Sequence, residues 1–250
     1  MAGQESKKVF ILRHIKKYYH VALVFGWLLT YSQPMMAAVK NYTEAKNTAR
    51  HIWQDHRETF YCGCAYNKQG VINYSSCDFK PKNTRKNRYI TWEHVVPVSW
   101  LGKDLPCWKG EGCVSKNGKT IKGRNCCRKK DKKFRQMEAD LHNLVPEIGE
   151  LNQARQNYRF TSDMQYPSQA FAGCEMLIDD VNERVVAPLH LRGTIARIHL
   201  YMSKKYGIVL NAPDRKQFEE WHQQYGPDAW EKKWNEKVTH VQGSSNEFIQ

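Results

Sequence analysis

Long hydrophobic runs are scarce in this chain of 250 residues. The apolar stretch at residues 21–29 is shorter than the roughly 20 residues that a membrane-spanning helix needs. No later stretch is apolar enough to cross a bilayer, which excludes a polytopic membrane protein. Internal repeats and linker-like segments are absent as well. The length fits one large domain or two small ones with a buried core, and a single domain is the simplest interpretation.

Acidic residues are fewer than basic residues. The chain has 39 Lys and Arg against 25 Asp and Glu, a net charge of +14. Residues 1–37 hold five of the basic residues and one of the acidic ones, which leaves 34 against 24, or +10, for the rest. The basic character therefore belongs to the main part of the chain. It predicts an anionic partner, with nucleic acid favoured over an anionic membrane surface.

The N-terminal 37 residues resemble a secretion signal. A basic segment precedes the short apolar run, and Ala37 and Ala38 offer small residues for cleavage. We predict a signal peptide at 1–37 that is cleaved near Ala37/Ala38, which places the protein in the periplasm or outside the cell without a stable membrane anchor. The alternative is an uncleaved N-terminal anchor.

The cysteines lack the paired C-x₂₋₄-C spacing of structural zinc sites. An even number of cysteines behind a signal peptide instead predicts a disulfide framework. Their pairing stays open, because eight cysteines allow 105 connectivities. The eight are Cys62, Cys64, Cys77, Cys107, Cys113, Cys126, Cys127 and Cys174.

The hydrophobic pattern predicts an α+β domain at 38–242 and a polar tail at 243–250. Residues 41–60 have helical periodicity, and residues 61–100 form short β-like runs. A long basic loop is expected at 102–133. Helices are expected within 135–159, interrupted at Pro146, then at 185–206 up to Gly207, from Pro213 towards Tyr225, and beyond Gly226-Pro227 through Trp234.

Glu93 and His94 form the pair that carries chemistry. Hydrolysis of a phosphodiester needs a base for the water and a cation for the developing charge. A histidine titrates near neutrality and can be that base, while Glu93 and the later Asn152 offer the hard oxygen atoms that Mg²⁺ prefers. Neighbours on a strand point to opposite faces. The two can therefore share a site only if the chain bends there, with which Pro97 is compatible.

Around this pair the sequence resembles the bacterial endonuclease I family of periplasmic and secreted ββα-metal (His-Me finger) nucleases. The similarity covers nearly all of residues 41–242. The segments that carry it, in order, are Phe60-Tyr-Cys-Gly-Cys64, Thr91-Trp-Glu-His-Val-Val-Pro97, Phe134-Arg-Gln-Met-Glu-Ala-Asp-Leu-His-Asn-Leu144, Gly149-Glu-Leu-Asn152 and Arg192-Gly-Thr-Ile-Ala-Arg197.

The resemblance implies a role for each matching residue. His94 would be the general base, Glu93 and Asn152 the metal ligands, and Arg124 the arginine on the scissile phosphate. Glu138 would be a further active-site acid that orients either Arg124 or a metal-bound water. The expected cofactor is one Mg²⁺ ion, with Mn²⁺ or Ca²⁺ as substitutes for binding.

The implied activity is cleavage of DNA and RNA by a monomer, with little sequence preference and 5′-phosphate products. Two alternatives remain at this point. One is a nuclease restricted to RNA or single strands, and the other is a secreted basic protein that binds nucleic acid without cutting it.

Two basic clusters flank the Glu-His pair and Arg124. Phosphate contacts from such clusters provide affinity with little specificity, whereas the alternative is a solvated surface. His142 and Asn143 are expected to support the site rather than to act in it. The predicted phosphate-binding residues are Lys80, Lys82, Arg85, Lys86, Arg88, Arg128, Lys129, Lys130, Lys132 and Lys133.

Overall fold

Helices surround two small β-sheets in this protein. The structure is a computed structural model and describes residues 39–250. The helices are α1 (Tyr42–Ile52), α2 (Val98–Gly102), α3 (Pro106–Lys109), α4 (Gly123–Lys130), α5 (Lys132–Glu138), α6 (Gly149–Arg155), α7 (Arg192–Tyr206), α8 (Ala212–Gln224) and α9 (Ala229–Gln242). The strands are β1 (Ile90–His94), β2 (Leu144–Ile148), β3 (Arg159–Thr161), β4 (Gln169–Phe171), β5 (Met176–Asp179) and β6 (Arg184–Val186).

Helix ends follow the residues that the sequence supplies for them. Asn41 caps α1 by accepting from the backbone N–H groups of Thr43 and Glu44, which satisfies donors that have no partner inside the helix. Asp131 caps α5 in the same way. Gly207 closes α7 with a φ of 75°, a left-handed conformation that glycine adopts without steric cost.

A β-β-α unit lies at the centre of the fold. β1 and β2 pair antiparallel, with Glu93 opposite Val145 and His94 opposite Leu144. All five residues of β2 are buried. Helix α6 begins at Gly149, directly after β2. This connection brings the helix that carries Asn152 back beside the strand that carries the Glu-His pair.

The second sheet has four strands in the order β3-β6-β5-β4. β3 runs parallel to β6, and the other pairs are antiparallel. Helices α7 and α8 follow this sheet in the chain and bury Ile195, Ile198 and Phe218 in the common core.

All eight cysteines form disulfides, which confirms the predicted framework. Two of the bonds hold the segment at 62–77, and the other two hold α4 against the region of α3. The pairs are Cys62–Cys174, Cys64–Cys77, Cys107–Cys127 and Cys113–Cys126.

Three secondary-structure predictions were wrong. The region 102–133 is not one long loop, since α3 and α4 lie within it. Pro146 does not separate two helices but lies inside β2, opposite Trp92. A two-stranded sheet leaves one edge of each strand without a strand neighbour, and such an edge tolerates a residue without an N–H. The helix expected from 185 begins only at Arg192, because residues 184–186 are β6.

The C-terminal segment 243–250, predicted as a polar tail, packs against the domain. Asn246 is fully buried and Ile249 nearly so. The Asn246 amide donates to the backbone oxygen of Arg197 at 3.2 Å, and its own N–H donates to the Asn235 side chain at 2.8 Å. Polar residues can therefore line a buried contact here, because their hydrogen bonds are satisfied.

The described residues form a single compact unit, so the prediction of one mixed α+β domain is confirmed. No helix within residues 39–250 is both long and apolar enough to span a bilayer. The predicted signal peptide at 1–37 lies outside the described residues.

Candidate active site

The β-β-α unit brings Glu93, His94 and Asn152 to one cavity of about 380 Å³, which Arg124 and Arg155 also line. The chain bends at Val95 and Val96, directly after β1. Glu93 and His94 both line the cavity, although alternate residues of a strand face opposite sides. The structure thus places four of the predicted site residues together.

Asn143 holds this bend. Its side-chain oxygen accepts from Val96 N–H at 2.6 Å, and its side-chain nitrogen donates to the Val96 carbonyl at 3.0 Å. Asn143 is fully buried. His142 is also buried, and its Nε2 lies 3.1 Å from the Ser244 carbonyl. Both side chains bind backbone, as expected of residues that support a site.

His94 is oriented by a backbone contact. Its Nε2 lies 2.8 Å from the carbonyl oxygen of Glu138. A carbonyl can only accept, so Nε2 carries the proton and donates, and Nδ1 keeps its lone pair. Burial, with the positive charge of Arg124 as a second cause, lowers the pKa of His94 to about 4. The imidazole is therefore neutral at physiological pH.

Glu93 is a buried carboxylate with incomplete compensation. Its Oε1 has no hydrogen-bond partner, although Nη1 of Arg155 lies 3.4 Å away. Burial raises the pKa of Glu93 to about 7, and the charge of Arg155 opposes that shift. An unpartnered buried oxygen is costly unless a donor or a cation satisfies it. The observation fits a site that binds a cation.

Asn152 lies on α6, and its side-chain nitrogen donates to the Thr91 hydroxyl on β1 at 3.3 Å. This contact leaves the amide oxygen available as a ligand. Across residues 39–250, no three His, Cys, Asp or Glu side chains form a cluster that could hold a metal ion. A carboxylate and an amide oxygen are a sparse donor set, and Mg²⁺ sites of this kind keep several water ligands.

Glu138 holds two arginines. It is 1% exposed, and its carboxylate accepts from Nε of Arg124 and from Nε of Arg128, the latter at 2.8 Å. The two arginines are one helical turn apart on α4, so both reach the same acid. All the hydrogen bonds from these two arginines to this carboxylate come from Nε. Each side chain remains about one-third exposed.

Tyr42 lies beneath this group. The guanidinium of Arg124 is 4.7 Å from its ring centroid and that of Arg128 is 5.0 Å away. The His94 ring is 5.1 Å from the same tyrosine ring. Cation–π contacts of this kind favour a fixed position for each guanidinium. One aromatic ring from α1 thus contacts both the base candidate and the arginine pair.

The exposed basic residues lie around the site rather than in it. Lys80, Lys82, Arg85, Lys86 and Arg88 occupy the segment before β1, and all five are exposed. A second group, called here the junction lysines, lies where α4 meets α5 and is exposed too. None of these side chains lines the cavity that holds Glu93 and His94 in the described part of the chain. The junction lysines are Lys129, Lys130, Lys132 and Lys133.

Sequence reasoning missed two residues of the site. Arg155 had a readable signal, because it follows Asn152 by three positions and so lies one turn further along the same helix face. Tyr42 had none, since it comes from a helix distant in sequence and only the folded chain shows its contact.

Comparison with known proteins places the chain among nucleases. The sequence model of the Endonuclease I family matches residues 35–250. The chain belongs to the endonuclease I family. An extracellular deoxyribonuclease of Aeromonas hydrophila is 42% identical over 84% of this chain and 89% of its own length. A periplasmic deoxyribonuclease of the same species is 39% identical over 91% and 93%.

A third relative, Endonuclease-1 of Buchnera aphidicola, is 34% identical over 84% of this chain and 81% of its own length. Membership of the endonuclease I family confirms the prediction of a hydrolytic nuclease. The relatives' names also confirm the predicted location, in the periplasm or outside the cell. The match reaches residue 250 and thus includes the C-terminal segment that packs on the domain.

Proposed function

We propose that this protein is a Mg²⁺-dependent endonuclease that hydrolyses phosphodiester bonds of DNA, and also of RNA, with little sequence preference. The observation that carries the proposal is the meeting of Glu93, His94, Asn152 and Arg124 at one cavity. The deoxyribonuclease names of the relatives support DNA as the main substrate. On this proposal the β1-β2-α6 unit is a ββα-metal core.

Glu93 and Asn152 would hold the ion. The unpartnered Oε1 of Glu93 supports this assignment, because a divalent cation would satisfy a buried oxygen that has no hydrogen-bond donor. When bound, Mg²⁺ would supply positive charge that stabilises the negative charge developing on the phosphate. One ion is proposed, for which Mn²⁺ or Ca²⁺ would substitute in binding.

His94 would take a proton from the attacking water at Nδ1. The Nε2 contact to the Glu138 carbonyl supports this role, since it fixes the ring and leaves Nδ1 unprotonated. The lowered pKa of His94 keeps the imidazole in its base form at neutral pH, although it also makes the ring a weaker base. Attack that breaks the bond to the 3′ oxygen leaves a 5′-phosphate, and the departing 3′ oxygen would take its proton from a second water molecule of the site.

Arg124 would hold the scissile phosphate, and Glu138 would keep that arginine in place. A guanidinium that donates through Nε to a carboxylate can still present another nitrogen atom to an anion. Arginine suits phosphate because its donors form a planar fork. Arg128, on the same acid, would bind an adjacent phosphate. The lysines and arginines at 80–88 and the junction lysines would follow the backbone further out, without reading sequence.

The remaining assignments concern export and oligomeric state. A signal peptide at 1–37 would direct export, and the enzyme would then act as a monomer. Disulfides in the structure agree with an oxidising compartment.

The test is incubation of supercoiled plasmid and of an RNA transcript with the protein, in Mg²⁺ or in excess chelator. We expect both substrates to be cut in Mg²⁺ and neither in chelator. Cleavage of RNA alone would restrict the substrate. Intact plasmid that is nevertheless retained in a mobility shift would establish a binding protein and refute the nuclease assignment.

A further inference from the structure

Arg155 is a charged side chain in an unusual position. It is the last residue of α6 and is fully buried. The C-terminal end of a helix favours a cation, but that effect does not require burial. The side chain turns inward to β1, and its guanidinium lies 4.8 Å from the ring centroid of Phe160.

The last two residues of β1 and the residue that follows them contact this guanidinium. Nη1 lies 3.4 Å from Glu93 Oε1 and 3.4 Å from the His94 carbonyl oxygen, and Nη2 donates to the Val95 carbonyl at 2.5 Å. Because Asn152 lies one turn earlier on α6, this single side chain connects the helix carrying Asn152 to the strand carrying Glu93. Together with the Asn152–Thr91 contact, it joins the elements that carry the two proposed ligands.

Stability alone does not account for this arrangement. Burying an arginine and a glutamate costs desolvation that their attraction repays only with good hydrogen bonds. Here Arg155 Nε and Glu93 Oε1 both lack a hydrogen-bond partner. A buried apolar residue would fill the space without that cost. The pair fits instead a carboxylate that stays charged and keeps one oxygen free of hydrogen bonds, so that this oxygen can bind a cation.

We propose that Arg155 is a positioning residue for metal binding, an inference that rests on the proposed function. It neutralises Glu93 without a hydrogen bond to Oε1, and it fixes the distance between Glu93 and Asn152 through the carbonyls of His94 and Val95. A lysine would keep the charge but could not reach the carboxylate and two carbonyls at once, since it lacks the planar fork.

The test uses Arg155→Lys and Arg155→Met. Arg197→Lys is the matched control, because Arg197 is also buried and pairs with a buried acid, Glu231, at 2.5 Å. Affinity for Mn²⁺ is measured without DNA from the electron paramagnetic resonance signal of the free ion, at a temperature where all variants are folded. Arg155→Lys should bind Mn²⁺ about 10–100-fold more weakly, the range for residues that orient a ligand. The control should bind like wild type.

Cleavage kinetics provide a second measurement. For Arg155→Lys, the Mg²⁺ concentration that gives half-maximal cleavage should rise by the same factor, while KM for DNA stays unchanged. Unchanged Mn²⁺ affinity in Arg155→Lys, or an equal loss in Arg197→Lys, would overturn the proposal. If Arg155→Met does not fold, Arg155→Lys decides alone. Wild-type protein that neither binds Mn²⁺ nor cleaves would refute the proposed function itself.

Discussion

At the residue scale, the proposed metal site depends on two oxygen atoms, one from Glu93 and one from Asn152. Glu93→Ala and Asn152→Ala should each abolish cleavage and weaken Mg²⁺ binding, because each removes a ligand atom. Asn152→Asp should retain more activity than Asn152→Ala, since an oxygen remains in place. Calorimetric Mg²⁺ titration beside a plasmid assay measures both effects. Full activity in excess chelator would be incompatible with this assignment.

The two titrating groups of the site predict an unusual pH dependence. The pKa of Glu93 without metal is raised to about 7, whereas that of His94 is lowered to about 4. As pH falls through 7, protons bind Glu93 and compete with Mg²⁺, while His94 stays in its base form. Activity should therefore decline below neutrality at low Mg²⁺, and the decline should move to lower pH as Mg²⁺ is raised.

The measurement is a set of pH–rate profiles at several Mg²⁺ concentrations. An acid limb that stays at one pH whatever the Mg²⁺ concentration would contradict the competition. The limb from His94 itself should lie well below its ordinary pKa, because burial and Arg124 both oppose a charged ring. A histidine with its ordinary pKa would instead give a limb near neutrality.

The sequence could predict the residues of the cavity but not all of their supports. Glu93, His94, Asn152 and Arg124 lie in recognisable motifs, and the structure brings them to one place. Tyr42 and the partnership of Arg128 with Glu138 depend on contacts between distant elements. Nothing in the local pattern encodes such contacts, so only the folded chain reveals them.

At the element scale, α4 depends on its disulfides. Cys113–Cys126 and Cys107–Cys127 hold the helix that carries Arg124. Cys64–Cys77 closes a segment of the same sequence separation, 13, as Cys113–Cys126. Removal of either bond should therefore lower the free energy of unfolding by a similar amount, within the about 2–5 kcal/mol typical of native disulfides.

We expect the variant lacking Cys113–Cys126 to lose more kcat than the variant lacking Cys64–Cys77 when both are assayed fully folded, because only the former bond holds the helix that carries Arg124. Double Cys→Ser variants, with unfolding monitored by circular dichroism, provide the comparison. Protein made in a reducing cytoplasm should likewise be poorly active. Equal specific activity before and after full reduction would rule out a role for the disulfides in catalysis.

Element prediction failed where tertiary contacts override local pattern. Pro146 predicts a helix boundary, yet it lies in β2, which pairs with β1. The Pro146 carbonyl also accepts from Phe60 N–H at 2.8 Å. The basic stretch at 102–133 has little apolar periodicity, and its short helices are fixed by disulfides that sequence spacing could not assign. Helices closed by Gly207 or opened near Pro213 were predictable, since backbone stereochemistry acts locally.

At the scale of the whole molecule, the net charge of residues 38–250, 34 basic against 24 acidic residues or +10, predicts how DNA binds. Affinity should be insensitive to sequence and fall steeply with salt, because each neutralised phosphate releases counterions. Replacing the four junction lysines together by glutamine should flatten the slope of log affinity against log salt. Fluorescence anisotropy at several salt concentrations measures it.

A matched control removes four other exposed lysines, from α7, α8 and α9, and should leave that slope close to wild type. These are Lys204, Lys216, Lys232 and Lys233. If the junction variant keeps the wild-type slope, the DNA path lies elsewhere, with the segment at 80–88 as the next candidate.

The most direct test of the account separates catalysis from binding at His94. His94→Ala should lower turnover by at least the roughly 10²–10⁴-fold typical of a lost general base, because Nδ1 is the group proposed to accept the proton. Its affinity for uncut DNA, titrated in Ca²⁺, should stay within a few-fold of wild type, since the arginines, the lysines and Glu93 are untouched. Normal cleavage by His94→Ala, or a loss of DNA binding as complete as the loss of cleavage, would contradict the account.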